Sequence, residues 1–226
     1  MIKVCGISDM HGILDFNIDE CDILCICGDI VPLNIQRYKD GTLKWLKKQF
    51  IKWCDKQPCE RVFLIAGNHD LIFEYSDEEI RDLFNGTKIQ YLRDELTTYT
   101  KDDKTINIYG TPWCHQFFDW AFMTDDGQLA EIYDKIPENV DILMTHDCSN
   151  GACDILLQDV SWRSNDHLGC NPLANAVINK KPKYQLCGHL HSGSHEFEEL
   201  GDTKCCNVSM VDERYQLAYK PLYFEI

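Results

Sequence analysis

The run Arg61-Val62-Phe63-Leu64-Ile65-Ala66 leads directly into Gly67-Asn68-His69-Asp70. An unbroken apolar series of this length reads as a strand buried on both faces. A strand that stops at a glycine and then presents an amide, an imidazole and a carboxylate delivers polar groups to one edge of a sheet, where open α/β sheets carry out chemistry. Four other stretches share this build. Lys3-Val4-Cys5-Gly6-Ile7 precedes Ser8-Asp9-Met10-His11-Gly12, and Asp22-Ile23-Leu24-Cys25-Ile26-Cys27 precedes Gly28-Asp29. Asp141-Ile142-Leu143-Met144 precedes Thr145-His146-Asp147, and Lys183-Tyr184-Gln185-Leu186-Cys187 precedes Gly188-His189-Leu190-His191. One Asp or His after a strand is an ordinary turn or cap residue. Five such endings in one chain point to a shared metal site.

Imidazole and carboxylate suit divalent first-row metals, and two ions roughly 3.5–4 Å apart need one carboxylate that touches both. Asp9 and His11, two apart on an extended loop, are expected to share one ion, with Asp29 as the bridge. Asn68, His146 and His189 then complete the second ion, and His191 falls back toward the first. The expected cofactors are two divalent ions. The donors suit Mn, Fe, Zn, Co or Ni, with Mn favoured.

The remaining sequence narrows the class. Its 226 residues carry 22 Lys+Arg against 37 Asp+Glu, a formal charge of −15. Such a field repels long nucleic acid, whereas bound divalent ions can draw in a small anionic substrate. The 13 cysteines are odd in number, fall mostly within expected strands and include no CxxC pair. They read as small buried hydrophobes and not as a disulfide framework or a cysteine zinc site. No leader-like stretch follows Met1, and no apolar run reaches the ~18–20 residues of a membrane span. The expectation is a soluble cytoplasmic protein with reduced thiols and no membrane partner, its oligomeric state unmarked in the sequence. Nothing resembles a linker or repeat, so residues 1–226 are expected to form one domain.

Helices are expected over 40–56, with Leu43, Trp45, Leu46, Phe50, Ile51 and Trp53 as core residues, and after a cap at Ser76, where Asp77-Glu78-Glu79 suit the positive helix end. Two more are expected over 126–135 and 172–179. The β-prone runs 89–92, 96–100 and 105–109 read as a meander in a second sheet, and 203–208 and 216–225 as closing strands. This is an α/β (α+β) pattern, a mixed-sheet sandwich with helices on the outer faces.

At Ser8-Asp9-Met10-His11-Gly12, Gly28-Asp29, Gly67-Asn68-His69-Asp70, His146 and Gly188-His189-Leu190-His191 the chain resembles the calcineurin-like metallophosphoesterases, in that family's block order. The resemblance implies a four-layer sandwich with two mixed β-sheets packed face to face. It also implies a dinuclear centre with Asp9, His11, Asp29 and His191 on one ion and Asp29, Asn68, His146 and His189 on the other. A hydroxide bridging the ions would attack phosphorus, and His69 would protonate the leaving oxygen or steady the phosphate. Asn68, His69 and Asp70 are the expected catalytic block, with Asn68 and His69 also meeting substrate. Asp70 has two readings, orienting His69 or capping the turn that follows.

Within the family, Ile30-Val31-Pro32-Leu33 departs from the second Asp and Arg of protein phosphatases. Gly110-Thr111-Pro112-Trp113, Trp120-Ala121-Phe122, His167-Leu168-Gly169-Cys170 and Asn207-Val208-Ser209 resemble instead the small branch of brain metallophosphoesterases and their bacterial or phage relatives. That branch implies hydrolysis of cyclic nucleotides and aryl phosphodiesters. The expected partner is a small phosphoester. A nuclease, a dinucleotide-polyphosphate hydrolase and a non-catalytic protein-binding scaffold are the alternatives. Trp113 and His115 are expected to bind substrate, with Phe117 beside them on a rim that could stack a base. For Trp113 and Phe117 the other reading is a plug between the sheets. Substrate choice is expected to rest on the loops 30–37, 115–126 and 149–171.

Overall fold

The computed structural model describes residues 1–156 and 166–226, so part of the loop 149–171 lies outside the described residues. The five apolar runs all form strands: β1 Lys3–Ile7, β2 Ile23–Cys27, β3 Arg61–Ile65, β9 Ile142–Thr145 and β10 Tyr184–Cys187. With β4 Ile89–Tyr91 and β13 Leu222–Glu225, the first three make a sheet of order β13-β1-β2-β3-β4, parallel except for β13. The second sheet adds β5 Glu95–Lys101, β6 Lys104–Thr111, β11 Glu198–Leu200 and β12 Thr203–Asn207. Its order is β11-β12-β10-β9-β6-β5, with antiparallel strands at both edges.

The period of two along each strand divides the side chains between layers. Ile23, Cys25 and Cys27 of β2 and Phe63 and Ile65 of β3 meet Ile106, Ile108, Ile142, Met144 and Leu186 of the second sheet in a shared apolar layer. The alternate residues Leu24, Ile26, Val62 and Leu64 face outward onto α1 Lys39–Trp45, a π turn Leu46–Phe50, α2 Ile51–Lys56, α3 Leu71–Tyr75 and α4 Asp77–Phe84. On the far face of the second sheet, Tyr109 and Leu143 pack against α5 Asp126–Asp134 and α6 Asn171–Lys180. The result is the four-layer sandwich, with two mixed sheets inside and helices outside.

Four details differ from the sequence reading, and the first is that the closing strand expected over 216–225 is confined to β13 Leu222–Glu225. Ile89–Tyr91 pairs parallel with β3 and joins the first sheet, so the expected meander reduces to the β5–β6 hairpin. The expected helix over 40–56 is interrupted by the π turn, which brings Phe50 into the stack with Trp45 and Trp53 at centroid distances of 5.7 and 6.4 Å. Ser76 stands at the start of α4 with φ −137° and ψ 44° and no side-chain cap bond. Asp77 serves that turn through a 2.7 Å pair with Arg81 one turn on.

Replacing Phe50 by Ala empties a fully buried site between Trp45, Trp53 and Phe84. The substitution is expected to cost about 3–5 kcal/mol in urea unfolding, and a loss below about 1 kcal/mol would contradict this packing.

Candidate metal centre

The parallel strands β1, β2 and β3 of one sheet and β9 and β10 of the other all end at a common edge, and backbone bonds stitch the following loops together. Asp9 N–H donates to Gly28 O at 3.0 Å and His11 N–H to Asp29 O at 2.9 Å, while Gly188 N–H donates to His146 O at 3.0 Å. Met210 N–H donates to Ser8 O at 2.9 Å, tying the extension of β12 to the end of β1. Asp9, His11, Asp29 and His189 all have positive φ, between 43° and 66°. Four non-glycine residues in the left-handed region at one place mark a backbone held by its surroundings, at a cost of order 1–3 kcal/mol each. Close approach also demands glycine at 67 and 188. A Cβ on Gly67 would strike Asp29 Oδ1 and lie 2.6 Å from His146 Cε1, and one on Gly188 would strike Ser8 Oγ and Asp9 Oδ2.

At one end of the cluster, His11 Nε2 and His191 Nε2 face each other at 3.3 Å. Asp29 Oδ2 is 3.8 Å from the first and Asp9 Oδ1 3.5 Å from the second. His191 Nδ1 donates to Asp212 O at 3.1 Å, which turns Nε2 inward. His11 Nδ1 is buried with no partner. At the other end, His146 Nδ1 donates to Cys27 O at 2.7 Å, so its Nε2 faces Asp29 Oδ2 at 3.4 Å and Asn68 Oδ1 at 3.0 Å. His189 Nδ1 completes that group, 2.9 Å from Asn68 Oδ1. Asp9, His11 and His191, and again Asp9, Asp29 and His146, each have ligand atoms within 4.8 Å of one another. Facing ring nitrogens flanked by carboxylates, with the outer nitrogens of His146 and His191 spent on backbone carbonyls, form a donor set for cations and a poor hydrogen-bond network. The residues therefore fit divalent metals.

The electrostatics agree. Burial pushes His11 down to about 4, and burial followed by the neighbouring His146 does the same to His189, leaving both imidazoles neutral and their lone pairs open. Burial opposes the charge on His146, but Asp29 outweighs it and holds the imidazole up at about 10. Burial likewise works against the Asp9 carboxylate, yet the bond to His191 and the field of His146 bring it down to about 2. Imidazolium here takes the place that a metal cation would occupy.

The other expected site residues divide. His69 lines the cleft beside the cluster: its N–H donates to Asp29 Oδ1 at 2.7 Å, its Nδ1 lies 2.7 Å from Gln36 Oε1, and Trp120 packs on its ring at 4.4 Å. Asp70 serves neither of its two expected roles. Its carboxylate accepts N–H groups from Gly67 at 2.9 Å, Val31 at 2.9 Å and Ile30 at 3.1 Å, and makes no cap bond to α3. It clamps the loop after β2 to the loop after β3. His115 lines the cleft and is anchored by its N–H and Nδ1 on Asp147 Oδ2, at 2.9 and 2.7 Å. Trp113, expected to bind substrate, is not among the cleft residues. Its Nε1 donates to Asp94 at 2.9 Å and its ring packs edge-on against Phe122, so it belongs to the packing under the cleft. Phe117 does reach the rim.

The cleft encloses about 430 Å³, and Phe118, Trp120, Leu168, Glu213 and Tyr215 complete its walls with Leu156, Leu190 and the residues above. The sequence reading named the loops that carry Gln36 and Phe118 without singling out those residues, and it missed Glu213 and Tyr215. Tyr215 stands edge-on to both His11 and His191, at 4.9 and 5.2 Å. Trp120 carried a signal only as part of the Trp120-Ala121-Phe122 resemblance.

A family model for calcineurin-like phosphoesterases matches residues 2–193, and the chain belongs to that family, a class of metal-dependent phosphoesterases. Human metallophosphoesterase domain-containing protein 1 is 29% identical over 240 residues, which cover 97% of this chain and 69% of that protein. A UPF0046 protein of Caenorhabditis elegans is 36% identical over 230 residues, 91% of this chain and 54% of that one. The solved phosphopantetheinyl hydrolase of Mycobacterium tuberculosis superposes with a TM-score of 0.58 at 13% identity, over 94% of this chain and 90% of that chain, a likeness of fold. Among the described residues no helix is long and apolar enough to cross a membrane.

Removing the Asp70 clamp leaves three buried N–H donors without their acceptor. Asp70→Ala is expected to lower stability by at least about 2 kcal/mol in thermal or urea unfolding, with Asp70→Asn intermediate. A neutral alanine variant would show that the clamp carries no weight.

Proposed function

We propose that the protein is a phosphodiesterase acting on small organic phosphates with an aromatic portion, cyclic nucleotides being the leading class. The observation that carries this reading is the composition of the cleft. Its outer wall offers the aromatic faces of Phe117, Phe118, Trp120 and Tyr215, while among the described residues no lysine or arginine lines it and Glu213 adds negative charge. Aromatic faces accept a base or an aryl group without a specific code. Among the described residues a phosphomonoester dianion would find no lysine or arginine in the cleft to meet its second charge, whereas a diester brings only one. A cavity of about 430 Å³ also falls in the range of small-molecule sites.

The proximity of the cluster's side chains supports the ligand set that the family resemblance implies. Asp9, His11, Asp29 and His191 would hold one divalent ion and Asp29, Asn68, His146 and His189 the other, with Asp29 shared. When bound, such ions lower the pKa of water and offset charge on the phosphoryl oxygens. The chain supplies the rest. His69, fixed by Gln36 at Nδ1 and by Asp29 at its backbone, has Nε2 left to exchange a proton with the leaving oxygen. Trp120 holds that imidazole from one side, and Arg37 lies 4.8 Å over the Trp120 ring, fixing the indole in turn. His115, braced by Asp147, faces the substrate from the other wall.

Metal-stripped protein refilled with Mn²⁺ or Zn²⁺ is expected to hydrolyse bis-p-nitrophenyl phosphate faster than p-nitrophenyl phosphate, and Asp29→Asn to lose about 10²-fold or more, the counterpart of several kcal/mol of charge stabilisation. Preference for the monoester would contradict the diester reading, and no turnover of either would remove the catalytic one. The role of His69 has its own signature. His69→Ala should lose roughly 10²-fold on a diester with an alkoxide leaving group and far less on a p-nitrophenyl ester, whose leaving oxygen needs no proton. Equal losses on both would assign His69 to phosphate binding.

A further inference from the structure

The ligand set above leaves one donor at the cluster unused. The sulfur of Cys114 and ring nitrogens of His146 and His189 all lie within 4.8 Å of one another, and Cys114 is fully buried. Its position is fixed from both sides. Cys114 N–H donates to Phe122 O at 2.8 Å, in the short pairing of β7 Cys114–His115 with β8 Met123–Thr124. The next residue, His115, is fastened twice to Asp147, which directly follows His146. Among the described residues the thiol makes only a long contact, 3.7 Å to Pro112 O, so no strong hydrogen bond there competes for the sulfur.

We propose that Cys114 supplies a thiolate to the ion at the His146–His189 end, making that position the more thiophilic of the two. This rests on the reading of the cluster as a metal centre. Binding would replace the S–H bond by a sulfur–metal bond and release the proton to solvent, since the thiolate is the ligating form. Zinc–sulfur and zinc–imidazole bonds are about 2.3 and 2.0–2.1 Å long. Two such ligands of one tetrahedral ion stand roughly 3.6 Å apart, and a spacing within 4.8 Å closes with a shift of about 1 Å or less. Sulfur is a soft donor that favours zinc over manganese, whereas the Asp9–His11–His191 end has only oxygen and nitrogen donors and lacks that bias. A third anion beside Asp9 and Asp29 also brings the donors' charge closer to that of two dications. The two positions would therefore differ in metal preference, zinc at the sulfur end and a wider choice at the other.

X-ray absorption on the zinc-loaded wild-type protein should show a sulfur shell near 2.3 Å beside nitrogen and oxygen scatterers. Cys114→Ser, with Cys114→Ala as the second variant, should lose that shell while keeping zinc, and competition between Zn²⁺ and Mn²⁺ should shift toward Mn²⁺ by roughly tenfold. Zinc bound in the wild type through nitrogen and oxygen alone would overturn the inference, as would a sulfur shell that survives either substitution. The wild-type spectrum decides even if neither variant holds zinc, because Cys114 is the cysteine grouped with the imidazoles among the described residues. Absence of zinc uptake by the wild type would instead overturn the metal-centre reading itself.

Discussion

Two buried carboxylates, Asp9 and Asp29, stand side by side at the junction of the two sheets, and the structure depends on how their charge is met. Taking a carboxylate out of water costs several kcal/mol unless it is paired and hydrogen-bonded. Part of the compensation is built into the backbone: the N–H of His189 points at Asp9 and that of His69 at Asp29. The left-handed residues Asp9, His11, Asp29 and His189 are the geometric consequence, because only a sharply turned loop after each strand brings those groups to one point. The rest must come from cations, and His146 and His191 lean over the pair in the direction that divalent ions would occupy.

This requirement explains why the site needs both sheets. Asp9, Asp29 and Asn68 arrive on strands of one sheet, His146 and His189 on strands of the other, so the apolar layer between the sheets sets the distance between the two halves of the cluster. Asp70 has no place among the metal-facing groups yet sits fully buried beneath them, where burial and the charge of Asp29 push its carboxyl up to about 7. It fixes the loops on which Asp29 and Asn68 ride. The outer walls of the cleft above come from later loops, Phe117, Phe118 and Trp120 on one and Glu213 and Tyr215 on another, with Leu156 and Leu168. The groups proposed for the chemistry and those proposed for selectivity thus sit on separate segments, the first on strand ends and the second on loops.

Much of this was readable in the sequence, for a physical reason. Strands buried on both faces appear as continuous apolar runs, and their polar ends stand out against them, so 3–12, 22–29, 61–70, 141–147 and 183–191 announced both the sheets and the groups that converge there. Partners chosen in space were not readable. Ile89–Tyr91 looked like a neighbour of the hairpin that follows it, but its register is with β3. Asp70 had local roles on offer and took a partner loop 40 residues away. Trp113 and Trp120 are alike in composition and neighbourhood, and only the course of the chain between them decides which one packs under the cleft and which one lies against His69. Cys114 read as one more buried thiol because the two imidazoles beside it come from strands 32 and 75 positions further on.

The claim that everything else rests on is that Asp9, Asp29 and their imidazoles form a two-ion centre. The direct measurement is a titration of metal-stripped protein with a divalent first-row ion, followed by calorimetry and by thermal unfolding of the same samples. Two ions per chain, with a Tm that rises with ion concentration as expected for a ligand bound only by the native state, is the predicted result. A chain that binds no ion, or one whose Tm is unmoved at saturation, would contradict the account.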